Sequence, residues 1–133
     1  MYEADLLPIV GNQVWYGPDL AEREEDWTYT LSADDIASLD DAIARMAASD
    51  FDVLDITRDL FPLPGLADTL KRIEVDLQKG LGFKMIRGVP VTRYNTREAA
   101  IAYFGIGSHL GEAVSQNAAG HALGHVYNLG FDP

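Results

Sequence analysis

Residues 61–65, which read FPLPG, constrain the fold more than any other feature, because they end any helix or strand that runs into them. Each proline lacks a backbone N–H donor and restricts the residue before it to extended conformations. Apolar residues recur at three- and four-residue steps on both sides of this segment. That spacing is typical of amphipathic helices, so the sequence predicts two helices with a proline turn between them.

The first predicted helix spans residues 33–48 and begins after Ser32, whose hydroxyl is suited to accept a hydrogen bond from a free amide of the first turn. The carboxylates of Asp34 and Asp35 would lie at the positive end of the helix dipole. The apolar stripe of this helix consists of Ile36, Leu39, Ile43 and Met46. The following residues, 50–59, mix apolar and acidic side chains, and they fit either a strand or a loop.

Two further helices are predicted downstream of the proline turn. The apolar face of the second consists of Leu66, Leu70, Ile73 and Leu77. Gly80 and Gly82 are available to end this helix in a left-handed conformation. The third helix begins at Asn95, where Glu98 completes the pattern of a capping box, and runs towards Leu110.

Three stretches have the pattern of strands. Residues 27–31 alternate large apolar side chains with threonine, which predicts a short half-buried strand. Residues 83–91 and 122–129 are apolar and bounded by glycine or proline, which predicts buried strands of a central sheet, the first leaving it at Pro90. Trp15, which lies upstream in irregular structure, is expected in the core.

Composition and charge narrow the class of protein. The chain of 133 residues fits one domain, and no apolar run is long enough to cross a bilayer. It contains no cysteine and does not begin like a secretory signal, so a cytoplasmic location is expected. Of its 21 acidic residues, 15 lie in the first 60 positions. Such a surface repels phosphate groups, so we expect neither nucleic acid nor a membrane as partner.

The spacing of His121 and His125 raises the question of a metal site. On a helix the two rings would lie about 6 Å apart, whereas on a strand they would lie roughly 13 Å apart, too far for one ion. The flanking glycines favour a strand, and chelation is the weaker alternative. Adding His109 and Glu112 would complete a set of four ligands only if the fold brought them together.

Several motifs occur in an order that resembles a known family. They are Trp27 before Leu31-Ser32, the FPLP turn, the stretch GLGFKMIRGVP at 80–90, YFGIGSHLG at 103–111, Ser115-Gln116-Asn117, and the glycine-flanked residues 120–130. Together they resemble the N-terminal portion of the taurine dioxygenase (TauD/TfdA) family of Fe(II)/2-oxoglutarate-dependent dioxygenases. The resemblance covers nearly the whole chain.

The resemblance implies an α+β fold with N-terminal helices and the first strands of an incomplete double-stranded β-helix, or jelly roll. We expect a single partial domain over residues 1–133, with an acidic lead-in over residues 1–31. The family binds iron through His-x-Asp and a distant histidine, but no His-x-Asp occurs in this sequence. Fe(II) and 2-oxoglutarate are therefore implied for full-length members, and neither is expected on this chain alone. No catalytic residue is assigned, and Gln116 and Asn117 are candidates for lining the substrate pocket.

The leading functional hypothesis is thus the N-terminal part of a dioxygenase that acts on small organic substrates and is inactive by itself. Its partner would be a C-terminal half, or a second copy bound through unpaired strands. The alternative is a non-catalytic binding or assembly module that pairs through an exposed sheet edge. A metal-binding protein that uses His121 and His125 is the least favoured hypothesis.

Overall fold

The structure is a computed structural model that describes residues 7–124 and 130, and it combines helices with a small sheet. In chain order the elements are α1 (Gly17–Ala21), α2 (Glu24–Trp27), β1 (Thr28–Thr30), α3 (Ala33–Ala47), α4 (Leu66–Lys79), β2 (Met85–Arg87) and α5 (Thr96–Ser108), with 3-10 turns at Val53–Asp55 and Val91–Arg93. The predicted mixture of helices and strands is confirmed, and the jelly roll stays a prediction. Within the described part of the chain, no helix has both the length and the apolar character needed to cross a membrane.

The sheet consists of β1 and β2, which pair in parallel with Tyr29 opposite Ile86. The amide of Leu31 continues the ladder by donating to the carbonyl of Arg87 at 2.8 Å. Parallel neighbours need a long crossover connection, and α3 and α4 lie in the chain between the two strands. The strand predicted over residues 27–31 is confirmed at Thr28–Thr30, whereas Trp27 ends α2, and the partner of β1 is the strand predicted in residues 83–91.

Helix α3 begins where the sequence predicts, because a capping box closes its first turn. Ser32 Oγ accepts from the amide of Asp35 at 3.1 Å, and the Asp35 carboxylate accepts from the amide of Ser32 at 2.9 Å. The hydroxyl of Tyr29 donates to the same carboxylate at 2.5 Å. Burial raises the pKa of Asp35, but hydrogen bonds from Tyr29 and Ser32 outweigh burial and hold the pKa below its ordinary value. Asp35 thus joins the sheet to α3.

The C-terminal end of α4 corrects one prediction about its glycines. Gly82 has a left-handed backbone, with φ of +84°, but Gly80 has φ of −98° and does not. Both amides donate to the carbonyl of Asp76, at 2.9 Å from Gly80 and 3.3 Å from Gly82. A Cβ on residue 80 would lie 2.8 Å from that carbonyl oxygen. Gly80 is therefore required by close approach of the backbone, and Gly82 by its conformation.

The core lies between α3, α4 and α5 and is centred on Phe61, whose side chain is fully buried. The Phe61 ring packs on the backbone of α5 at Gly105, where a Cβ would lie only 2.2 Å from the ring. Asn95 and Glu98 form the predicted capping box of α5, with hydrogen bonds of 2.8 and 3.0 Å. The proline turn therefore separates α3 from α4 and also places the Phe61 ring in the core against α5.

Three predictions need correction or fall outside the described residues, and one open alternative is decided. Trp15 is 52% exposed and is not a core residue. The strand in residues 83–91 contains only Met85–Arg87, and Met85 is 43% exposed. Met85 and Arg87 lie on the exposed face of the sheet, whereas Ile86 points to the other face and is half-buried. Residues 122–124 form no strand, and the rest of the strand predicted over 122–129 lies outside the described residues. The segment 50–59 contains a 3-10 turn, Val53–Asp55, and no strand.

Candidate substrate-binding cleft

An open cleft of about 1090 Å³ lies beside α5. Its walls come from residues 54–58, from residues 84–91 around β2, from the C-terminal half of α5, and from the segment 110–116. These segments are far apart in the sequence. The cleft exists because the proline turn fixes α5 while the parallel pairing brings β2 next to it.

The floor of the cleft is apolar because it is formed by the outer edge of the core. Ala102 and Phe104 of α5 are buried, and Ile86, Val89 and Ile106 are half-buried beside them. Such a surface holds the apolar part of a small ligand and excludes water, while a few polar groups orient the ligand.

Two basic side chains, Arg58 and Lys84, line the cleft, and both are hydrogen-bonded within the protein. Arg58 donates to the carbonyl of His109 at 3.1 Å and lies 3.9 Å from the carboxylate of Glu74. Lys84, whose side chain is only 15% exposed, donates to the carbonyl of Asp26 at 3.2 Å. Glu112 also lines the cleft, and its carboxylate has no hydrogen-bond or ion-pair partner among the described residues. Glu112 thus provides one free acceptor at the cleft.

The two residues that the sequence suggested for the substrate wall lie in different surroundings. Gln116 lines the cleft, and its side-chain amide donates to the carbonyl of Val114 at 2.9 Å. Asn117 does not line the cleft, and its Oδ1 accepts from the amides of Ala119 and His121, at 3.1 Å each. Asn117 thus stabilises the loop that presents Gln116. A role in substrate binding stays a prediction for both.

The histidines do not meet in the described structure. His109 is 5% exposed, and its Nε2 lies 2.7 Å from the carbonyl of Phe61, so Nε2 carries the proton. His121 is exposed, and its Nδ1 accepts from the side-chain amide of Asn117 at 3.1 Å. Residues 121–124 form neither helix nor strand, and His125 lies outside the described residues. Among residues 7–124 and 130, no three His, Asp or Glu side chains come together as metal ligands.

Sequence reasoning missed Arg58, Lys84 and Glu112 as cleft residues. These residues are far apart in the chain, so no local pattern indicates that they share a cleft. A basic residue on a surface that carries charges of both signs is usually only solvated. The helix glycine Gly105 was the one detectable sign of the buried junction next to the cleft, since a glycine inside a helix often marks close packing.

No family model matches the chain. Over 130 residues, or 98% of its length, it is 28% identical to FR-33289 synthase of Streptomyces rubellomurinus. Over 115 residues, or 86% of its length, it is 27% identical to a taurine hydroxylase-like protein of Stachybotrys chartarum. The chain spans 38% and 30% of these two curated relatives, respectively. The resemblance to taurine dioxygenase-type proteins, which the sequence motifs indicated, is confirmed by these similarities.

Proposed function

We propose that this chain forms part of an Fe(II)/2-oxoglutarate-dependent dioxygenase, because it is similar to a taurine hydroxylase-like protein. In this proposal α3, α4 and α5 form a rigid scaffold, and the cleft beside α5 forms one wall of the substrate cavity. Two observations together support the proposal: 98% of this chain aligns with FR-33289 synthase, and the structure contains an open cleft with an apolar floor. The complete jelly roll, the iron and the 2-oxoglutarate belong to the proposal.

The residues of this chain do not fit the iron centre of such an enzyme. Iron in this class of enzyme needs two histidines and one carboxylate on adjacent coordination positions. The sequence lacks His-x-Asp, and in the described structure the Nε2 of His109 is engaged by Phe61. We therefore propose that the iron ligands and the 2-oxoglutarate site come from polypeptide outside these 133 residues, and that this chain is inactive alone.

The contribution of this chain is binding and orientation. The cleft-lining side of α5 would hold the carbon skeleton of a small organic substrate and exclude water. Gln116 and the unpartnered carboxylate of Glu112 would accept hydrogen bonds from the polar end of the substrate, and Gln116 would also donate.

Succinate formation tests the proposed inactivity directly. The purified chain is supplied with ferrous iron, ascorbate, 2-oxoglutarate and taurine, and succinate is measured by chromatography. We expect no more succinate than in a control without protein. Succinate formed in proportion to the chain would overturn the assignment of the iron ligands to other polypeptide.

Binding of a probe tests the cleft as a substrate wall. Taurine is titrated into ¹⁵N-labelled protein, and we expect shifts of amide resonances in the segment 110–116 and in α5. Gln116→Ala should weaken these shifts, whereas Gln78→Ala, an exposed position on α4 outside the cleft, should leave them unchanged. Shifts confined to other surfaces, or an equal effect of both substitutions, would contradict the proposal.

A second candidate function is an assembly module that pairs through the sheet. The supporting observation is that β1 and β2 pair only with each other in the described residues, so each strand has one unpaired edge. Unpaired edges bind other strands readily. Mass measured by light scattering distinguishes this candidate, because a strictly monomeric chain at every concentration would contradict it. The third candidate, metal binding through His121 and His125, predicts heat on titration with zinc or iron.

A further inference from the structure

His109, the residue that follows α5, is held by two segments that are distant from it in the sequence. Its ring Nε2 donates to the carbonyl of Phe61, 48 residues upstream, at 2.7 Å. Its own carbonyl accepts from the guanidinium of Arg58, 51 residues upstream, at 3.1 Å. His109 is only 5% exposed, so water competes little for its ring. We call these three residues the His109 clasp.

The His109 clasp satisfies two polar groups that nearby residues leave without partners. The last turn of α5 contains no basic residue, although a cation there stabilises the negative end of the helix dipole. Arg58 supplies that charge from a distant segment. The carbonyl of Phe61 has no other hydrogen-bond donor among the described residues, and Phe61 is fully buried. A buried carbonyl without a donor destabilises the fold, so the ring N–H of His109 is required there.

The segment 110–116 forms one wall of the cleft and leaves α5 directly after the His109 clasp. The amides of Leu110 and Gly111 both donate to the carbonyl of Gly107, at 2.9 and 3.0 Å, and so continue the end of the helix. No backbone amide of residues 112–115 donates a hydrogen bond within the described part of the chain. The clasp therefore fixes the end of the wall from which residues 112–115 extend.

We infer that His109 is a positioning residue for the cleft, an inference that rests on the proposed role of the cleft in substrate binding. His109 does not line the cleft, so it acts on a ligand only through the segment 110–116. Arg58 belongs to a second wall, residues 54–58, so the clasp holds two walls of the cleft at a fixed separation. Loss of the ring hydrogen bond frees these walls to move apart. That movement lowers ligand affinity without changing any group that contacts the ligand.

Two substitutions of His109 and one matched control test this role. His109→Leu keeps a side chain of similar size but removes the ring N–H, which leaves the carbonyl of Phe61 without a donor. His109→Gln is the conservative variant, because its side-chain amide can donate from a comparable distance to the backbone. Ile73→Val trims a buried side chain of α4, outside both the clasp and the cleft, and lowers global stability without touching either.

Hydrogen exchange of the Leu110 and Gly111 amides, measured by NMR, is the first readout. We expect exchange of both amides to be about 10-fold faster in His109→Leu, which corresponds to the loss of one hydrogen bond. Exchange should stay within about 2-fold of the wild type in His109→Gln and in Ile73→Val. Equal exchange in His109→Leu and the wild type would overturn the inference. Equal acceleration in His109→Leu and Ile73→Val would also overturn it, because the effect would then reflect global stability alone.

The tautomer of the His109 ring in the wild type is a check that needs no variant to fold. NMR of protein labelled with ¹⁵N-histidine should show the ring proton on Nε2. A proton on Nδ1 instead would overturn the inference, because the ring could not then donate to the carbonyl of Phe61.

The affinity for taurine is the second readout, and it separates this inference from the proposed function. We expect His109→Leu to weaken taurine binding roughly 10-fold and His109→Gln to restore most of the affinity. Equal taurine affinity in His109→Leu and the wild type would overturn the inference. A wild type that binds no taurine would contradict the proposed substrate wall, whereas the hydrogen exchange of Leu110 and Gly111 would still decide whether His109 positions that wall.

Discussion

The contact between Phe61 and Gly105 predicts a large and specific cost for adding one methyl group to α5. In Gly105→Ala the new Cβ would lie 2.2 Å from Cε1 and 2.4 Å from Cδ1 of the Phe61 ring. Unstrained carbon atoms lie about 3.5–4.0 Å apart, so the ring or the helix must move by more than about 1 Å. Phe61 is fully buried, and its neighbours must move with it.

The expected size follows from two opposing effects. Overpacking of a core costs about 1–3 kcal/mol, or more where the backbone must shift. Replacing a glycine inside a helix by alanine returns about 1 kcal/mol. Because the contact is far shorter than van der Waals distance and the ring is fully buried, the overpacking cost should reach about 3 kcal/mol, and we expect Gly105→Ala to lower the free energy of unfolding by about 2 kcal/mol. Gly107→Ala is the matched control in the same helix, because no atom lies within 4 Å of its new Cβ. It should raise the free energy of unfolding by about 0.5–1 kcal/mol.

Urea denaturation followed by circular dichroism measures both variants. A difference of roughly 2.5 kcal/mol between them is the expected result. A second measurement, with Phe61→Leu in both backgrounds, should show coupling between positions 61 and 105 of at least about 0.5 kcal/mol. If Gly105→Ala were as stable as the wild type, or if the two alanine variants behaved alike, the close packing of the proline turn on α5 would be refuted.

Three further predictions concern hydrogen-bonded groups. Asp35→Asn should lower the free energy of unfolding by about 1–2 kcal/mol. Since the pKa of Asp35 is lowered in the folded state, the stabilisation by its carboxylate is present above the unfolded value of 3.8 and is lost as the pH falls through the lowered folded value. Acid titration of the wild type and the variant would show this loss in the wild type only. Asn95→Ala should cost about 1 kcal/mol in urea melts, with Asn95→Gly costing less, and equal losses would contradict the capping role. Burial, and then the hydrogen bond to Asp40, raise the pKa of Tyr94. The stabilisation by the neutral Tyr94 hydroxyl is therefore present below the ordinary value of 10.0 and is lost as the pH rises through the raised value. Tyr94→Phe should remove this loss of stability in alkaline urea melts.

The family resemblance indicates the class of protein, whereas the geometry of the cleft indicates where this chain could contact a ligand. Similarity to a taurine hydroxylase-like protein over 86% of the chain supports the family that the motifs indicated. The jelly roll and the binding of iron and 2-oxoglutarate depend on residues outside the described structure or outside the sequence, and they stay proposals. The cleft connects the two, because in our proposal it is where this chain would bind substrate.

The sequence alone determined α3, α4 and α5 and their starts, since those signals are local, but it did not predict the short helices α1 and α2. Ser32 with Asp35 and Asn95 with Glu98 lie three residues apart, and each pair forms its capping box within a single helical turn. The apolar spacing of α3 and α4 likewise selects one face of each helix for burial. These features depend on neighbours in the chain, and a pattern of residues is enough to predict them.

Only the tertiary structure decided which of those elements enclose a site. Arg58, Glu112 and Gln116 meet at one cleft because Phe61 packs on α5 and β2 pairs with β1, and no local pattern records either contact. The exposure of Trp15 has the same origin, because a tryptophan is buried only where other segments cover it. Burial and site formation depend on packing between distant segments, whereas helix formation depends mainly on adjacent residues.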